Sequence, residues 1–296
     1  MLFYSPSGKR CEGMQKERVS DNVYWFQSEV YAQVTAGVIV GPQWAILIDT
    51  LMPEETPQIK RFIEDDLMVP VRYIVNTHHH ADHAWGNCLF PSATVIGHEL
   101  ARELMLSRSQ SALDEAGKDN PLFRSLCIQE PQITLAKGSL FLRVGKKHIK
   151  VFATPGHSDD SISVLLEDDR ILFAGDAFMP IPFFVGGDID VLTNTITEIG
   201  QMGLENIVQG HGDVVLRGEI DDITNSHLEY LKSVRKLVRT AFRRRNPLDF
   251  LRSQMVEDSG KTRISMGGLA QDLHIRNLQW LYLTELKRQR EEESAE

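Results

Sequence analysis

The sequence predicts an α/β protein whose C-terminal part is helical. Short apolar segments rich in β-branched residues, bounded by glycine, proline or aspartate, recur up to about residue 217 and are typical of strands. Segments with apolar residues three and four positions apart lie between some of them and are typical of amphipathic helices. After Gly218 the helical spacing continues almost throughout. We therefore expect a first domain over residues 1–217 and a helical C-terminal extension over residues 218–296.

The first half of the chain is predicted to consist mainly of strands. Gly41-Pro42 supplies a turn between two of them. Pro53 begins a segment in which Ile59 and Phe62 fall on one helical face. The predicted strands are residues 23–28, 32–41, 44–50, 71–77 and 93–97, and the predicted helices are residues 54–67 and a segment through Met105.

The second half returns to strands before the helical region begins. Asp168-Asp169 fits a hairpin turn between two of these strands. In the last region Leu231, Val234 and Val238 recur at helical spacing. The predicted strands are residues 149–153, 162–166, 171–174 and 206–209, with a helix over residues 188–202.

The composition is that of an ordinary soluble globular protein, with 42% apolar and 25% charged residues. The net charge of −9 disfavours nucleic acid and anionic membranes as partners. The N-terminal segment has no apolar core of a secretory signal, and no stretch approaches the roughly 20 apolar residues of a membrane helix. Cys11, Cys88 and Cys127 form no metal-spaced pair, so we expect reduced thiols and a cytoplasmic protein.

The most informative segment is the hexad HHHADH at residues 78–83, which follows the end of a predicted buried strand. It brings four metal-binding side chains close together, namely His78, His80, Asp82 and His83. Three more candidate ligands follow later strands, and they are His157, Asp176 and His211. Imidazole suits zinc or iron, and a carboxylate can bridge two cations.

These seven side chains can form two facing ligand sets. The first set is His78, His80 and His157, the second is Asp82, His83 and His211, and Asp176 bridges them. The cations would lie roughly 3.5–4 Å apart and share a water molecule. Metal binding lowers the pKa of water from about 15.7 towards about 7, which provides hydroxide for attack on a carbonyl or phosphoryl centre. Asp82 is the candidate to orient this nucleophile and to pass a proton to the leaving atom.

Each of these residues also has an ordinary structural interpretation, because single histidines are more often core or surface residues than ligands. That interpretation would have to hold separately for five histidines and two aspartates, so a metal centre is favoured. Asp49 ends an apolar strand and is expected to accept a hydrogen bond from a ligand imidazole, with a turn or helix cap as the alternative. The other histidines are interpreted as structural or solvent-exposed, namely His79, His98, His148, His227 and His274.

In this order the motifs resemble those of the metallo-β-lactamase-fold hydrolase superfamily. The matching pieces cover roughly residues 20–215 and are Asp49, residues 77–83, Pro155-Gly156-His157-Ser158, Gly175-Asp176 and Gly210-His211-Gly212. The resemblance implies an αβ/βα four-layer sandwich with the metals in a shallow cleft at one edge of the two sheets. It also implies that the seven residues hold two divalent metal ions, with zinc expected and iron or manganese as alternatives. The same ligand set serves many chemistries, so the motifs are poor guides to the substrate.

Several positions differ from the motifs of known branches of the superfamily, and these differences reduce the number of functions that the resemblance implies. Asp176 stands where the first class of β-lactamases carries cysteine, and His80 where flavin-linked di-iron relatives carry glutamate. The short segment between Asp176 and His211 has no room for the inserted cap of the nuclease branch. The chain is most similar to the glyoxalase-II, lactonase and sulfur-oxidation-associated branch. The resemblance therefore implies hydrolysis of a carboxylic ester, thioester or lactone by a metal-bridging hydroxide.

Other functions stay open at this point. They are a mononuclear iron persulfide dioxygenase, a phosphodiesterase or RNase, a β-lactamase-type amide hydrolase, and a binding protein with a vestigial site. A small-molecule substrate is the expected partner.

Three further features bear on the substrate or on assembly. The apolar run 178–184 is interpreted as a loop at the cleft mouth or in a homodimer contact, since Pro180 and Pro182 disfavour a strand, although an ordinary buried segment is the alternative. Trp85 can line the cleft or belong to the core. The basic residues between Lys232 and Arg245 are interpreted as a solvated helix face, with contact to an anionic thioester as the alternative.

Overall fold

Two mixed β-sheets face each other, and helices cover their outer sides. The computed structural model describes residues 14–295, so Cys11 lies outside the described part. Apolar side chains of both sheets, among them Trp25, Ile48 and Phe173, fill the space between the sheets. The order of layers is helix, sheet, sheet, helix, which confirms the expected αβ/βα sandwich.

The first sheet has seven strands arranged in sequence order. They are β1 (Gln15–Ser20), β2 (Val23–Gln27), β3 (Thr35–Val40), β4 (Ala45–Ile48), β5 (Val71–Val75), β6 (Thr94–His98) and β7 (Ile133–Leu135). Pairs from β1 to β4 are antiparallel, and pairs from β4 to β7 are parallel. The prediction that a strand begins at residue 32 was wrong, because Ala32 (φ 49°) and Gln33 (φ 53°) have left-handed backbones that cannot join a ladder.

The second sheet has six strands in the order β13-β12-β11-β10-β9-β8. They are β8 (Ser139–Val144), β9 (Lys147–Ala153), β10 (Ile162–Leu166), β11 (Ile171–Gly175), β12 (Asn206–Gln209) and β13 (Val215–Leu216). Strands β11 and β12 are parallel, whereas the other neighbours are antiparallel. All four strands predicted in this region form, with small shifts at their ends.

Helices lie mainly outside the sheets. They are α1 (Thr56–Arg61), α2 (Ala81–Ala84), α3 (Glu99–Leu104), α4 (Gln110–Asp119), α5 (Pro121–Arg124), α6 (Ile189–Gln201), α7 (Ile220–Ala241), α8 (Pro247–Arg252) and α9 (Ala270–Ala295). The helix predicted at residues 54–67 is split, because α1 continues as a π-helical turn over Phe62–Asp66. A second π turn follows α3 at Met105–Ser109.

The C-terminal helices share one hydrophobic core with the second sheet and α6. Leu192 of α6, Val234 of α7 and Leu278 of α9 belong to a single cluster of buried side chains. The domain boundary between residues 217 and 218 stays a prediction. Within residues 14–295, none of the helices combines the length and the apolar character that crossing a membrane requires.

The apolar run 178–184 belongs to this core. Phe178, Ile181 and Phe184 are almost fully buried, and the Phe178 ring packs 4.7 Å from the ring of His227 on α7. The run has no regular strand, as its prolines predicted, but the C-terminal helices cover it. The interpretation of the run as a loop at the cleft mouth is therefore wrong for these three residues, whereas a homodimer contact stays a prediction. Trp85 is likewise a core residue, packed edge-on against Phe123.

The basic stretch on α7 is a solvated helix face, as favoured from the sequence. Lys232, Arg239 and Arg243 are exposed. Arg235 forms an ion pair with Asp190 at the start of α6.

A half-buried lysine joins α7 to the segment before α9. Lys261 Nζ lies 2.7 Å from His227 Nδ1 and donates to Ser226 Oγ at 2.9 Å. Burial lowers the pKa of Lys261 from 10.5 to about 7. Burial, followed by the charge of Lys261, lowers the pKa of His227 well below 6.5, so this imidazole is a neutral acceptor.

We expect the free energy of unfolding to rise with pH above about pH 7, because the folded chain then releases the Lys261 proton while the unfolded chain keeps it up to about 10.5. One such group adds at most about 1.4 kcal/mol per pH unit. Lys261→Met removes this contribution. In urea titrations at pH 7, 8 and 9, its stability relative to the wild type should be most favourable at pH 7 and should fall towards pH 9. If the difference in unfolding free energy between Lys261→Met and the wild type did not change with pH, the lowered pKa of Lys261 would be contradicted.

Candidate metal centre

The ends of several strands meet at one edge of the two sheets, and the predicted ligands lie there. Strand β5 leads into the hexad, β11 into Asp176 and β12 into His211. Because β10 runs antiparallel to β11, the loop before β10 brings His157 to the same edge. A hydrogen bond from Ile162 N to Thr77 O at 2.8 Å joins the edges of the two sheets, and Gly210 N donates to Gly175 O at 2.9 Å within the second sheet.

The hexad gathers four candidate ligands because the chain changes from strand to helix within it. His80 has an extended backbone and precedes the short helix α2. The N–H of His83 donates to the His80 carbonyl at 3.1 Å, which closes the first turn. The His83 ring is therefore turned back towards His78, with ring centroids 4.3 Å apart.

A first cluster consists of His78, His80 and His157 together with Asp176, with one donor atom of each within 4.8 Å of the others. His78 Nε2 lies 2.9 Å from His80 Nδ1, and His157 Nε2 lies 3.2 Å from the same atom. Asp176 Oδ2 completes the group at 3.4 Å from His157 Nε2 and 3.7 Å from His78 Nε2.

A second cluster consists of Asp82, His83 and His211. Asp82 Oδ2 lies 3.6 Å from His211 Nε2 and 3.9 Å from His83 Nε2. Asp176 Oδ1 lies 3.3 Å from His83 Nε2 and 3.4 Å from His211 Nε2. Asp176 thus directs one oxygen to each cluster, which is the arrangement of a carboxylate that bridges two cations.

The far nitrogen of each of four imidazoles is held by a partner outside the clusters. His83 Nδ1 lies 2.8 Å from Asp49 Oδ2, and His211 Nδ1 lies 2.9 Å from the Ala32 carbonyl. His157 Nδ1 lies 2.8 Å from the Phe183 carbonyl. His78 Nδ1 lies 3.1 Å from the hydroxyl of Thr77, which itself donates to Asp49. These contacts orient the rings and leave the inner nitrogens as electron-pair donors.

The position of Asp49 agrees with the expectation that it supports a ligand imidazole. Its carboxylate also accepts from the Thr77 N–H at 2.8 Å. Its left-handed backbone (φ 56°) ends β4 and turns the side chain towards the hexad.

The electrostatics of the site require positive charge. Burial raises the pKa of Asp176, but the imidazoles of His211, His83 and His157 outweigh it and hold this pKa well below 3.8. Burial lowers the pKa of His83, but the carboxylates of Asp176, Asp49 and Asp82 raise it well above 6.5. Burial also lowers the pKa of His211, but the charge of Asp176 outweighs burial and raises this pKa above 6.5.

Two polar atoms at the centre are suited to binding a cation. Among the described residues, His83 Nε2 and Asp176 Oδ1 are buried and have no hydrogen-bond partner. A buried polar atom without a partner is costly, and a cation between these two atoms would remove that cost. Five imidazoles and two carboxylates are a donor set for zinc or iron. The residues present therefore fit the metal ions that the motifs imply.

Gly210 allows Asp176 to approach this closely. A Cβ at this position would lie 2.0 Å from Asp176 Oδ1. Strand β12 therefore packs against the carboxylate only because residue 210 has no side chain.

The remaining histidines lie outside both clusters. His79 faces Asp160, with its N–H 2.8 Å and its Nδ1 3.0 Å from Oδ2. His98 Nδ1 caps α3 by accepting from Leu100 N, and His148 is exposed beside Asp168. His227 and His274 are buried among the C-terminal helices.

Three residues at the centre were not found from the sequence. Asp160 fixes the hexad through His79. Burial, followed by the charge of Asp82, raises the pKa of the Tyr31 phenol to about 12, while Arg276 on α9 opposes this rise. The exposed Arg276 lies 5.0 Å above the ring of Phe183. No local motif marks Tyr31 or Arg276, and the pair Asp159-Asp160 after His157 was the only signal for Asp160.

Comparison with known proteins identifies the family. The metallo-beta-lactamase superfamily pattern matches residues 31–240. The chain is similar to a metallo-beta-lactamase from Pontibacter korlensis, with a TM-score of 0.58 and 21% identity over 73% of this chain and 99% of that one. A metallo-beta-lactamase from Hirschia baltica also has a TM-score of 0.58, with 14% identity over 72% of this chain and 96% of that one. These two likenesses concern the fold.

Curated relatives are similar over part of their length. The cytoplasmic isozyme of hydroxyacylglutathione hydrolase from Saccharomyces cerevisiae is 29% identical over 49% of this chain and 51% of its own. Thioesterase pkgB from Emericella nidulans is 25% identical over 58% of this chain and 43% of its own. The lactamase-like protein aptB of the same organism is 26% identical over 63% of this chain and 52% of its own. The chain spans about half the length of the curated relatives it matches. By the match over residues 31–240, the chain belongs to the metallo-beta-lactamase superfamily.

Proposed function

We propose that this protein is a metal-dependent hydrolase that cleaves a carboxylic ester, thioester or lactone with two divalent metal ions. The observation that carries the proposal is the position of Asp176, whose two oxygens face two separate groups of imidazoles. His78, His80 and His157 would hold one ion, and Asp82, His83 and His211 the other. Zinc is the proposed metal, because nitrogen-rich sets with carboxylates suit it.

The bound ions would supply an activated water and would polarise the carbonyl of the substrate. The surrounding residues would bind the substrate, orient the attacking group and protonate the leaving atom. Asp82 is the more open of the two carboxylates, with 15% of its side chain exposed against 6% for Asp176. It can therefore face the substrate, hold the attacking group by a hydrogen bond and return a proton to the leaving atom.

A thioester with an anionic group is the favoured substrate within this class. Arg276 offers an exposed cation beside Phe183, whose carbonyl holds His157. The Tyr31 phenol, whose pKa is raised by burial and by the charge of Asp82, is protonated at neutral pH and can donate to a substrate oxygen. Two relatives carry the names hydroxyacylglutathione hydrolase and thioesterase, which supports the choice of a thioester. The yeast relative is named as a cytoplasmic isozyme, which supports cytoplasmic placement as a further proposal.

Metal content and hydrolytic activity should depend on the same ligands. The purified chain should contain two zinc ions, measured by inductively coupled plasma mass spectrometry, and should hydrolyse members of a panel of esters, thioesters and lactones. His80→Ala should lose at least one ion and the activity together. One iron per chain with oxygen consumption on a persulfide would contradict the proposal, as would turnover of bis-p-nitrophenyl phosphate or RNA alone.

Asp82→Asn should lower kcat by about 10²–10⁴-fold, the usual contribution of a positioned proton-transfer group. The amide keeps the size of the carboxylate but cannot take up and return a proton. Metal analysis should still find the ion at the first cluster. Asp159→Asn, an exposed change in the loop that carries His157, is the matched control and should leave kcat unchanged. An Asp82→Asn enzyme with full kcat would exclude the proton-transfer role.

Arg276→Ala should raise KM for a carboxylate-bearing thioester by about tenfold or more, because a hydrogen bond to a charged group contributes about 1.5–3 kcal/mol. The KM for a neutral thioester should not change. Arg239→Ala on the exposed face of α7 is the control and should leave both values unchanged. Equal effects on the anionic and the neutral substrate would show that Arg276 does not bind the anion.

A further inference from the structure

A chain of buried hydrogen bonds connects the C-terminal helices with the candidate metal centre. Its central residue is Asn277 on α9, which is fully buried. Asn277 Oδ1 accepts from Phe184 N at 3.1 Å. Asn277 Nδ2 donates to Pro182 O at 2.8 Å and to the hydroxyl of Tyr230 at 3.1 Å. The side chain amide thus bonds to the backbone on both sides of Phe183.

The other end of this chain of bonds is His157. The Phe183 carbonyl, 2.8 Å from His157 Nδ1, belongs to the same peptide group as Phe184 N. One peptide plane is therefore held from opposite directions, by Asn277 at its N–H and by His157 at its C=O. Hydrogen bonds in such a row polarise one another in a low-dielectric interior.

This peptide plane sets the orientation of the His157 ring. A donated bond from Nδ1 fixes the tautomer and leaves the Nε2 lone pair directed into the first cluster, where Nε2 lies 3.2 Å from His80 Nδ1 and 3.4 Å from Asp176 Oδ2. If the peptide rotated, the ring would lose its acceptor. The orientation of the His157 ring can therefore be disturbed by a change elsewhere in the protein, with His157 itself unaltered.

We propose that Asn277 is a positioning residue for His157 and that it sets the affinity of the cation held at the first cluster through the Phe183–Phe184 peptide. The inference rests on the proposed function only in taking His157 as a metal ligand. Asparagine suits this position because its amide both accepts and donates. Leucine has a similar size but would leave Phe184 N and Pro182 O without partners, and the peptide would be free to rotate.

Tyr230 provides the matched control. Its hydroxyl accepts from Asn277 and lies 3.1 Å from His274 Nδ1, so it belongs to the same buried network. It makes no bond to the peptide that holds His157. Tyr230→Phe should therefore disturb the packing between α7 and α9 without releasing that peptide.

The test compares the two variants in the full chain, stripped of metal and titrated with zinc against a chromophoric chelator. Asn277→Leu should weaken one of the two zinc sites by about 10–100-fold, as expected when an outer partner of a ligand is lost. The other site, which does not include His157, should keep its affinity within about twofold. Tyr230→Phe should keep both affinities, even where thermal unfolding shows an equal loss of stability.

The visible spectrum of the cobalt-loaded protein supplies a second readout that a purely structural role would not change. Asn277→Leu should alter the intensity or position of the cobalt bands, whereas Tyr230→Phe should not. If Asn277→Leu does not fold, Asn277→Ser, which keeps a polar group in the pocket, replaces it in the same comparison. Unchanged affinity and spectrum in the Asn277 variant would overturn the inference, and so would equal losses in Tyr230→Phe.

These outcomes separate the inference from the proposed hydrolase activity. A wild-type protein that binds zinc but hydrolyses no ester, thioester or lactone would overturn the proposed function alone, because the zinc titration still decides the role of Asn277. A wild-type protein that binds no zinc would overturn both.

Discussion

The structure around the candidate centre depends on the burial of one carboxylate, Asp176, among imidazoles. A buried carboxylate is costly unless positive charge compensates it. Here its pKa stays well below 3.8 because His211, His83 and His157 surround it. A side chain at position 210 would meet the carboxylate, so the approach of β12 is also fixed by this requirement. The three histidines and Gly210 together therefore allow this one negative charge to be buried.

The topology of the two sheets satisfies this requirement because it brings the donors to one edge. Strands β4 to β7 of the first sheet and β11 with β12 of the second are parallel, so each set presents its carboxyl ends together. Each sheet thereby contributes ligands from rigid strand ends. Packing between the sheets holds the two groups of donors within a few ångströms of each other. A centre built from one sheet alone could not enclose a carboxylate from two sides.

Much of the fold and of the centre could be predicted because the informative signals are local. The hexad lies on consecutive residues after a β-branched strand, and the other candidate ligands follow strands with clear apolar patterns. Asp49 was found for the same reason, as a charge at the end of an apolar strand. The ligands of the predicted centre are therefore visible in short segments of sequence.

The parts that could not be predicted depend on contacts between distant segments. The apolar run 178–184 is interpreted from the sequence as a loop at the cleft mouth or in a homodimer contact, but it packs in one core with α7 and α9. Ala32 and Gln33 have left-handed backbones and do not continue the strand. This conformation brings the Ala32 carbonyl to His211. Arg276 and Asn277 sit in an ordinary helix, and only packing against residues about 90 positions earlier reveals their roles, as in the 93-residue separation of Asn277 from Phe184.

The two halves of the centre are supported by different parts of the protein. His83 and His211 take their outer partners, Asp49 and the Ala32 carbonyl, from the ends of the first sheet. His157 takes its partner from the segment that the C-terminal helices cover. A change in helical packing should therefore act on the first cluster through His157. A change at the end of β4 should act on the second cluster through His83 and should also reach His78 through Thr77. Helix α9 carries both Asn277 and the exposed Arg276, so the two proposals place the support of a ligand and the contact with a substrate on the same helix. The C-terminal helices thus contact the segment that holds His157, although their sequence carries none of the metal-binding motifs.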